Sequence, residues 1–95
     1  MDDNLQNIKV IRNESESRFE LHIDRNIAIS EYRVIGNTIT FYHVGVPPEL
    51  EGQGLGSLLA KASLDYAREK SYKVVPACSF ISAYIHRHPE YQSLM

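Results

Sequence analysis

The segment that decides the fold is TITFYHVGVPPELEGQGLGSLL, which spans residues 38–59. Residues 38–46 are rich in β-branched and aromatic side chains, a composition typical of a strand. Pro47-Pro48 ends that strand, because neither proline can donate a hydrogen bond to a neighbouring strand. Three glycines follow within residues 52–56, and from Leu55 onward apolar residues recur at helical spacing. The segment therefore predicts a strand, a glycine-rich loop and a helix, in that order.

Downstream of this segment the sequence predicts one more strand and one more helix. The first helix is expected over residues 55–70, with an apolar face made of Leu55, Leu58, Leu59, Ala62 and Tyr66. Residues 72–75 form the strand, which Pro76 closes. Ser79 is the predicted N-cap of a helix over 80–87, and His88-Pro89 stops that helix.

Upstream of residue 38 the pattern is that of antiparallel strands. Short strands are predicted at 8–12, 18–24 and 27–34, and the Gly36-Asn37 turn joins the last of them to 38–46 as a hairpin. A strand, a helix and a further strand in succession imply a parallel pair with a right-handed crossover. The fold class is therefore α+β, with a mixed, mostly antiparallel sheet, a β-α-β crossover and a short C-terminal helix. Residues 1–95 form one domain, and residues 1–7 are expected to fray.

Composition narrows the possible classes of function. A net charge of −2 and 23% charged residues do not provide the concentrated basic surface that nucleic-acid binding requires. No apolar run approaches the ~20 residues that span a bilayer, and the polar N-terminus is no secretory signal. We therefore expect a cytoplasmic protein without a membrane partner. The single cysteine excludes an internal disulfide, and the four histidines lack the spacing of metal ligands, so we expect no metal.

The glycine loop predicts a binding site for phosphate. A helix N-terminus has unpaired N–H groups and a partial positive charge, and glycines let an anion approach the backbone. The other interpretation is a flexible connection to a helix that tolerates glycine, although each glycine in a helix costs roughly 1 kcal/mol. A Walker A loop requires a lysine directly after its last glycine, but after Gly56 the next lysine is Lys61, and the spacing is not the G-x-G-x-x-G of dinucleotide-binding folds. The diphosphate of another cofactor is consistent with the loop.

Four segments together resemble a known family. They are HVGVP (43–47), EGQGLG (51–56), VPACSFI (75–81) and YIHRHPEY (84–91). The second resembles the Gln/Arg-x-x-Gly-x-Gly/Ala loop of the GNAT acetyltransferase superfamily, except that Glu51 replaces the first residue. The four segments in this order are similar to those of short stand-alone N-acetyltransferase-like proteins, and the resemblance covers nearly all of the chain from about Phe19.

The resemblance implies a GNAT-like fold with acetyl-CoA as the cofactor. The diphosphate would contact the loop residues Glu51, Gly52, Gln53, Gly54, Leu55, Gly56 and Ser57. The pantetheine arm would lie in a gap between the strands at 38–46 and 72–77, along the backbone of Val44, Gly45 and Val46. An N–H of Val44 or Val46 would polarise the thioester carbonyl. Arg87 and His88 are candidates for contacts with the phosphates or the adenine.

Two further residues are candidates for catalysis. Cys78 precedes a predicted helix, a position that favours nucleophilic character. Three roles are consistent with the position of Cys78. It lines the acetyl site, or it accepts the acetyl group by exchange of one thioester for another, or it is a small buried core residue. His43 alternates with Phe41 and Ile39, so it is expected on their face of the strand. It is a base for Cys78 or the amine, or a hydrogen-bonded core residue.

Three functions are consistent with these features. The first is an acetyl-CoA-dependent N-acetyltransferase whose acceptor is an amine of a small molecule or of a protein. The second is a non-catalytic module that binds CoA or acetyl-CoA, because the helices that shape the acceptor site in larger members of the superfamily are absent. The third is an interaction domain that uses an open sheet face. The sequence does not indicate the acceptor or the oligomeric state.

Overall fold

The computed structural model describes residues 9–95, so the predicted fraying of residues 1–7 and the predicted start of a strand at Ile8 lie outside the described residues. It contains five strands and two helices. The strands are β1 (Ile11–Asn13), β2 (Arg18–Ile23), β3 (Asn26–Ile35), β4 (Thr38–Gly45) and β5 (Lys73–Pro76). The helices are α1 (Leu55–Glu69) and α2 (Ser79–Arg87), and 3₁₀ turns occupy Pro48–Leu50 and Pro89–Leu94. The predicted α+β class is confirmed.

The five strands form one mixed sheet in the order β1-β2-β3-β4-β5. Strands β1 to β4 are antiparallel neighbours joined by short turns, and Gly36, with a φ of 61°, lies in the turn between β3 and β4. Strand β5 lies parallel to β4, and α1 connects the two. The predicted hairpin and the predicted crossover are both present.

Helix α1 packs on one face of the sheet through small as well as large side chains. Its buried residues are Leu55, Gly56, Leu59, Ala60, Ser63, Leu64 and Ala67. The predicted apolar face was wrong at Leu58, which is 39% exposed. The helix is rotated so that Ala60, Ser63 and Ala67 meet the sheet, where the hydroxyl of Ser63 donates to that of Ser30 over 2.9 Å. Small residues allow this close approach, and the buried hydroxyls satisfy each other.

Helix α2 packs on the same face of the sheet as α1. Its N-cap is Cys78, so the prediction that Ser79 caps the helix was wrong by one residue, and neither residue forms a side-chain cap. After the helix, the buried Tyr91 donates its hydroxyl to Asp65 of α1 over 2.7 Å. This bond ties the C-terminal turn to α1. No helix within residues 9–95 is long and apolar enough to span a bilayer.

The opposite face of the sheet contains one buried carboxylate. Glu20 of β2 is only 5% exposed, and it accepts hydrogen bonds from Arg18 (2.7 Å) and Asn13 (2.9 Å) and contacts Nε2 of His22 at 2.7 Å. The hydrogen bond from Arg18, followed by those from His22 and Asn13, lowers the pKa of Glu20 from 4.5 to about 2. A carboxylate with a depressed pKa stabilises the fold above its unfolded pKa, and that stability is lost as the pH falls toward the folded value.

Glu20→Gln is therefore expected to lower the free energy of unfolding at pH 7 by on the order of 2 kcal/mol, because the charged acceptor of Arg18 is lost. The difference from wild type should shrink between about pH 4.5 and pH 2, where Glu20 itself becomes protonated. Urea unfolding at pH 7, 4 and 2.5 measures this. The matched control is Glu14→Gln, whose side chain is 84% exposed. A Glu20→Gln difference that is the same at all three pH values would contradict the assignment.

Candidate functional site

The site begins where β4 and β5 separate. Their parallel pairing runs from Thr38–Lys73 to Phe41–Pro76 and stops there. Pro76 has no N–H to continue the ladder, and the N–H of Ala77 turns back to the carbonyl of Val75 over 3.1 Å. The last bond across the two segments runs from the N–H of Cys78 to the carbonyl of Phe41, over 2.9 Å. Beyond it, the β5-facing edge of β4 has no strand beside it, so a gap opens.

A β-bulge lies in β4 at the same level. Tyr32 pairs with Phe41 and Glu31 pairs with His43, so Tyr42 has no partner on β3. Residues directly opposite in an antiparallel pair point to the same face of the sheet. Val44 is opposite Ser30, which is buried under α1, and His43 is opposite Glu31 on the other face. The expectation that His43 shares a face with Phe41 was therefore wrong, because the extra residue reverses the alternation.

The gap continues into a groove of about 400 Å³. One part of the groove is apolar and is lined by Val44, Val46, Leu50 and Phe80. The other part is formed by the glycine loop, the first turn of α1 and Arg87 at the end of α2. The groove therefore combines an apolar channel beside an unpaired strand edge with a polar end that contains a cation.

The backbone at the polar end presents free donors. Gly52 and Gly54 have φ values of 83° and 80°, which a residue with a side chain rarely adopts. Gly54 is the N-cap of α1 and has no side chain that could cap the helix. The first helical hydrogen bond runs from the N–H of Leu58 to the carbonyl of Gly54 over 3.2 Å. Within the described part of the chain, no N–H of residues 52–57 donates to a protein acceptor. These donors, together with the positive end of the helix dipole, suit an anion.

Most of the predicted cofactor-binding residues line this groove. They are Val44, Val46, Glu51, Gly52, Gly54, Leu55, Gly56, Ser57 and Arg87. Gly45, Gln53 and His88 do not line it. The ring of His88 stacks on Tyr84 with centroids 3.9 Å apart, and its Nδ1 lies 2.9 Å from the Tyr84 carbonyl, so His88 contacts its own helix instead.

Sequence reasoning missed two lining residues, Leu50 and Phe80. Leu50 ends the 3₁₀ turn after Pro47-Pro48, and Phe80 is the second residue of α2. Phe80 lies within the segment 75–81 that carries the family resemblance, and this membership was the available signal for it. Neither residue type indicates a binding role by itself.

Neither of the two predicted catalytic residues, Cys78 and His43, lines the groove. Cys78 is half-buried, lies where the strands separate and packs partly against the core. His43 is exposed on the sheet face away from the helices, and its Nε2 is close to Gly45, where a Cβ would lie only 2.9 Å from it. Among residues 9–95, no three His, Cys, Asp or Glu side chains are grouped in a way that could hold a metal ion.

The family is identified by comparison with known proteins. A family model for GCN5-related N-acetyltransferases matches residues 18–94, which include the gap, the glycine loop and both helices. The chain belongs to the GCN5-related N-acetyltransferase family. Members of this family generally use acetyl-CoA.

The chain is also similar to individual proteins. The chain is 34% identical to a GCN5-like candidate N-acetyltransferase from Staphylococcus aureus, whose NMR solution structure superposes with a TM-score of 0.72 over 93% of this chain and 87% of that one. Protein NATD1 from Homo sapiens is 35% identical over 67 residues, which cover 70% of this chain and 58% of NATD1. Protein NATD1 from Xenopus tropicalis is 33% identical over 66 residues, 70% of this chain and 60% of that protein. The matched part of the chain thus spans about 60% of the length of these curated relatives.

The loop of this GCN5-related protein depends on glycine at residue 54. A Cβ added there would meet no atom within 4 Å, so the cost of a side chain comes from the backbone torsion alone. Gly54→Ala is expected to lower the free energy of unfolding by about 1–2 kcal/mol, because an L-residue is strained at positive φ. Urea unfolding without ligand measures this, with Ser57→Ala, at an exposed position in the first turn of α1, as a control expected to change stability by less than about 0.5 kcal/mol. Equal stability of Gly54→Ala and wild type would contradict this loop conformation.

Proposed function

We propose that the groove binds acetyl-CoA and that the protein transfers the acetyl group to an amine. The observation that carries the proposal is the set of free N–H groups at residues 52–57, all of which except Gln53 line the same groove as Val44 on the unpaired edge of β4. In this arrangement the diphosphate lies against the loop and the start of α1. The pantetheine arm runs along Val44–Val46 and uses the backbone groups that β5 leaves unpaired.

Acetyl transfer requires few groups beyond correct placement of the thioester. A neutral amine would attack the carbonyl carbon, the nitrogen would lose one proton to a base as the C–S bond breaks, and that proton would pass on to the CoA thiolate, which leaves as a thiol. An N–H on the free edge of β4 stabilises the negative charge on the carbonyl oxygen. We propose His43 as the group that accepts the proton of the amine, because it follows the bulge on β4 and is exposed.

Cys78 is proposed to line the acetyl site. It lies at the closed end of the gap, two residues before Phe80, which lines the groove. Attack of its thiolate on acetyl-CoA would form a protein thioester and release CoA, a nearly balanced exchange. The acceptor amine would then attack this thioester and regenerate the thiol. The covalent route through Cys78 and the direct route from acetyl-CoA to the amine both require the thioester at the same position in the gap.

A binding module that does not catalyse transfer is the second candidate. Residues 14–17 join β1 to β2 through a tight turn, with a bond from the N–H of Ser17 to the carbonyl of Glu14 over 3.2 Å. No helix is inserted there to enclose an acceptor, and the sheet face with His43 is open. The open sheet face and the short turn at residues 14–17 favour either a large acceptor, such as a protein amine, or binding of the coenzyme without turnover.

Cofactor binding is tested by ligand-dependent stability. Acetyl-CoA at about 100 times its dissociation constant should stabilise the fold by about 2.7 kcal/mol, which raises the Tm of a domain of this size by about 10 °C or more. Arg87→Gln should weaken CoA binding about threefold to tenfold, because a cation at the polar end of the groove is lost. Arg25→Gln, an exposed position outside the groove, is the control. Absence of any shift with CoA or acetyl-CoA would refute the proposal.

The role of Cys78 is tested by intact mass spectrometry after incubation with acetyl-CoA. Covalent transfer predicts an increase of one acetyl group in wild type and none in Cys78→Ala. Turnover is followed in parallel by release of free CoA thiol with a panel of small amines and lysine peptides. Turnover that is unchanged in Cys78→Ala would remove the cysteine from the mechanism. Binding of CoA without an adduct or turnover on any acceptor would support the binding module.

A further inference from the structure

Gly56 has a different environment from the other two glycines of the loop. It is buried within α1, and its φ does not lie in the left-handed region, so its backbone torsion does not require glycine. A Cβ at this position would lie 2.7 to 3.2 Å from the ring atoms Cζ, Cε2 and Cε1 of Phe80. The ring of Phe80 therefore lies directly on the backbone of Gly56. Because glycine is a poorer helix former than alanine, this contact gives the physical reason for a glycine inside α1.

Phe80 connects this contact to the ligand groove. The side chain is 36% exposed and lines the same groove as Val44 and Val46. The ring thus bounds the apolar channel between β4 and α2, and its position is set by Gly56 on the neighbouring helix. A thin chain placed along β4 in this groove would therefore meet the aromatic ring as well as the two valines.

We infer that Phe80, seated on Gly56, is the wall that positions the pantetheine arm of the coenzyme, and that Gly56 is required to seat this ring and not to admit the phosphates. The inference rests on the proposed binding of CoA to the groove. Phe80 contacts the ligand in this arrangement, and Gly56 acts only through Phe80. Gly52 and Gly54, with their positive φ values and free amides, are the glycines that serve the diphosphate.

A double-mutant cycle separates this inference from a direct role of Gly56 at the phosphates. Gly56→Ala adds a methyl group that must displace the ring of Phe80, and Phe80→Ala removes the ring. Each single variant is expected to weaken CoA binding about tenfold by isothermal titration calorimetry, because both lose the same apolar wall. The double variant is expected to bind about as well as either single variant, also about tenfold weaker than wild type, and not about one hundredfold weaker. Leu58→Ala, an exposed α1 residue outside the groove, is the control and should bind CoA as wild type does.

Losses that multiply to about one hundredfold in the double variant would overturn the inference, since Gly56 would then act independently of Phe80. Unchanged affinity in Phe80→Ala would overturn it as well. Loss of helix stability cannot explain weaker binding by Gly56→Ala, because alanine is the better helix former. If wild type fails to bind CoA, the proposed function is wrong; if wild type binds and the cycle is multiplicative, only this inference is wrong.

A second measurement does not depend on ligand or on the double variant. The ring of Phe80 should shift an Hα resonance of Gly56 in the NMR spectrum of the free protein, because the Hα in the direction of a Cβ points at the Cζ end of the aromatic ring. The shift should disappear in Phe80→Ala. Gly56 resonances that are unchanged in Phe80→Ala would contradict the contact on which the inference depends.

Discussion

The site depends on the point at which β4 and β5 stop pairing. Up to Phe41 and Pro76 the two strands belong to one continuous sheet, and after them the chain turns through Ala77 into α2. A buried backbone N–H or C=O without a partner is costly, so an unpaired strand edge is tolerated only where water or a ligand can reach it. The groove provides that access. The unpaired edge of β4 is thus hydrated in the free protein and offers its donors and acceptors to an extended ligand.

The bulge at Tyr42 makes this opening compatible with a well-packed core. Before the bulge, Ile39 and Phe41 are fully buried under α1. After it, the reversed alternation keeps Val44 on the helix side, where it lines the groove, and turns His43 to the open face. A single extra residue therefore places an apolar side chain against the arm of the proposed ligand and an ionisable side chain on the face from which an acceptor can approach. Without it, His43 would occupy the position of Val44.

The sequence predicted the order of elements, the parallel crossover and the position of the loop, because prolines, glycines and hydrophobic periodicity are local signals. It failed where the outcome depends on tertiary contacts. The face of His43 was predicted incorrectly because alternation has no marker for one extra residue in β4. Leu58 was placed in the core because periodicity does not reveal that Ala60 and Ser63 bring α1 closer to the sheet. Phe80 was missed since its role follows from a glycine on another helix, 24 positions earlier in the chain.

The electrostatics of the groove explain how a glutamate can occupy the first position of the loop. Glu51 is exposed and adds a negative charge beside the place where a diphosphate would lie. Exposed charges are screened over about 8 Å at physiological salt, so the repulsion is weaker than it would be in a buried site. The N–H groups of residues 52–57 are fixed dipoles that donate at close range, and Arg87 adds a positive charge to the same groove. Recognition of the proposed diphosphate would therefore rest on the backbone, which a side-chain change at residue 51 leaves in place.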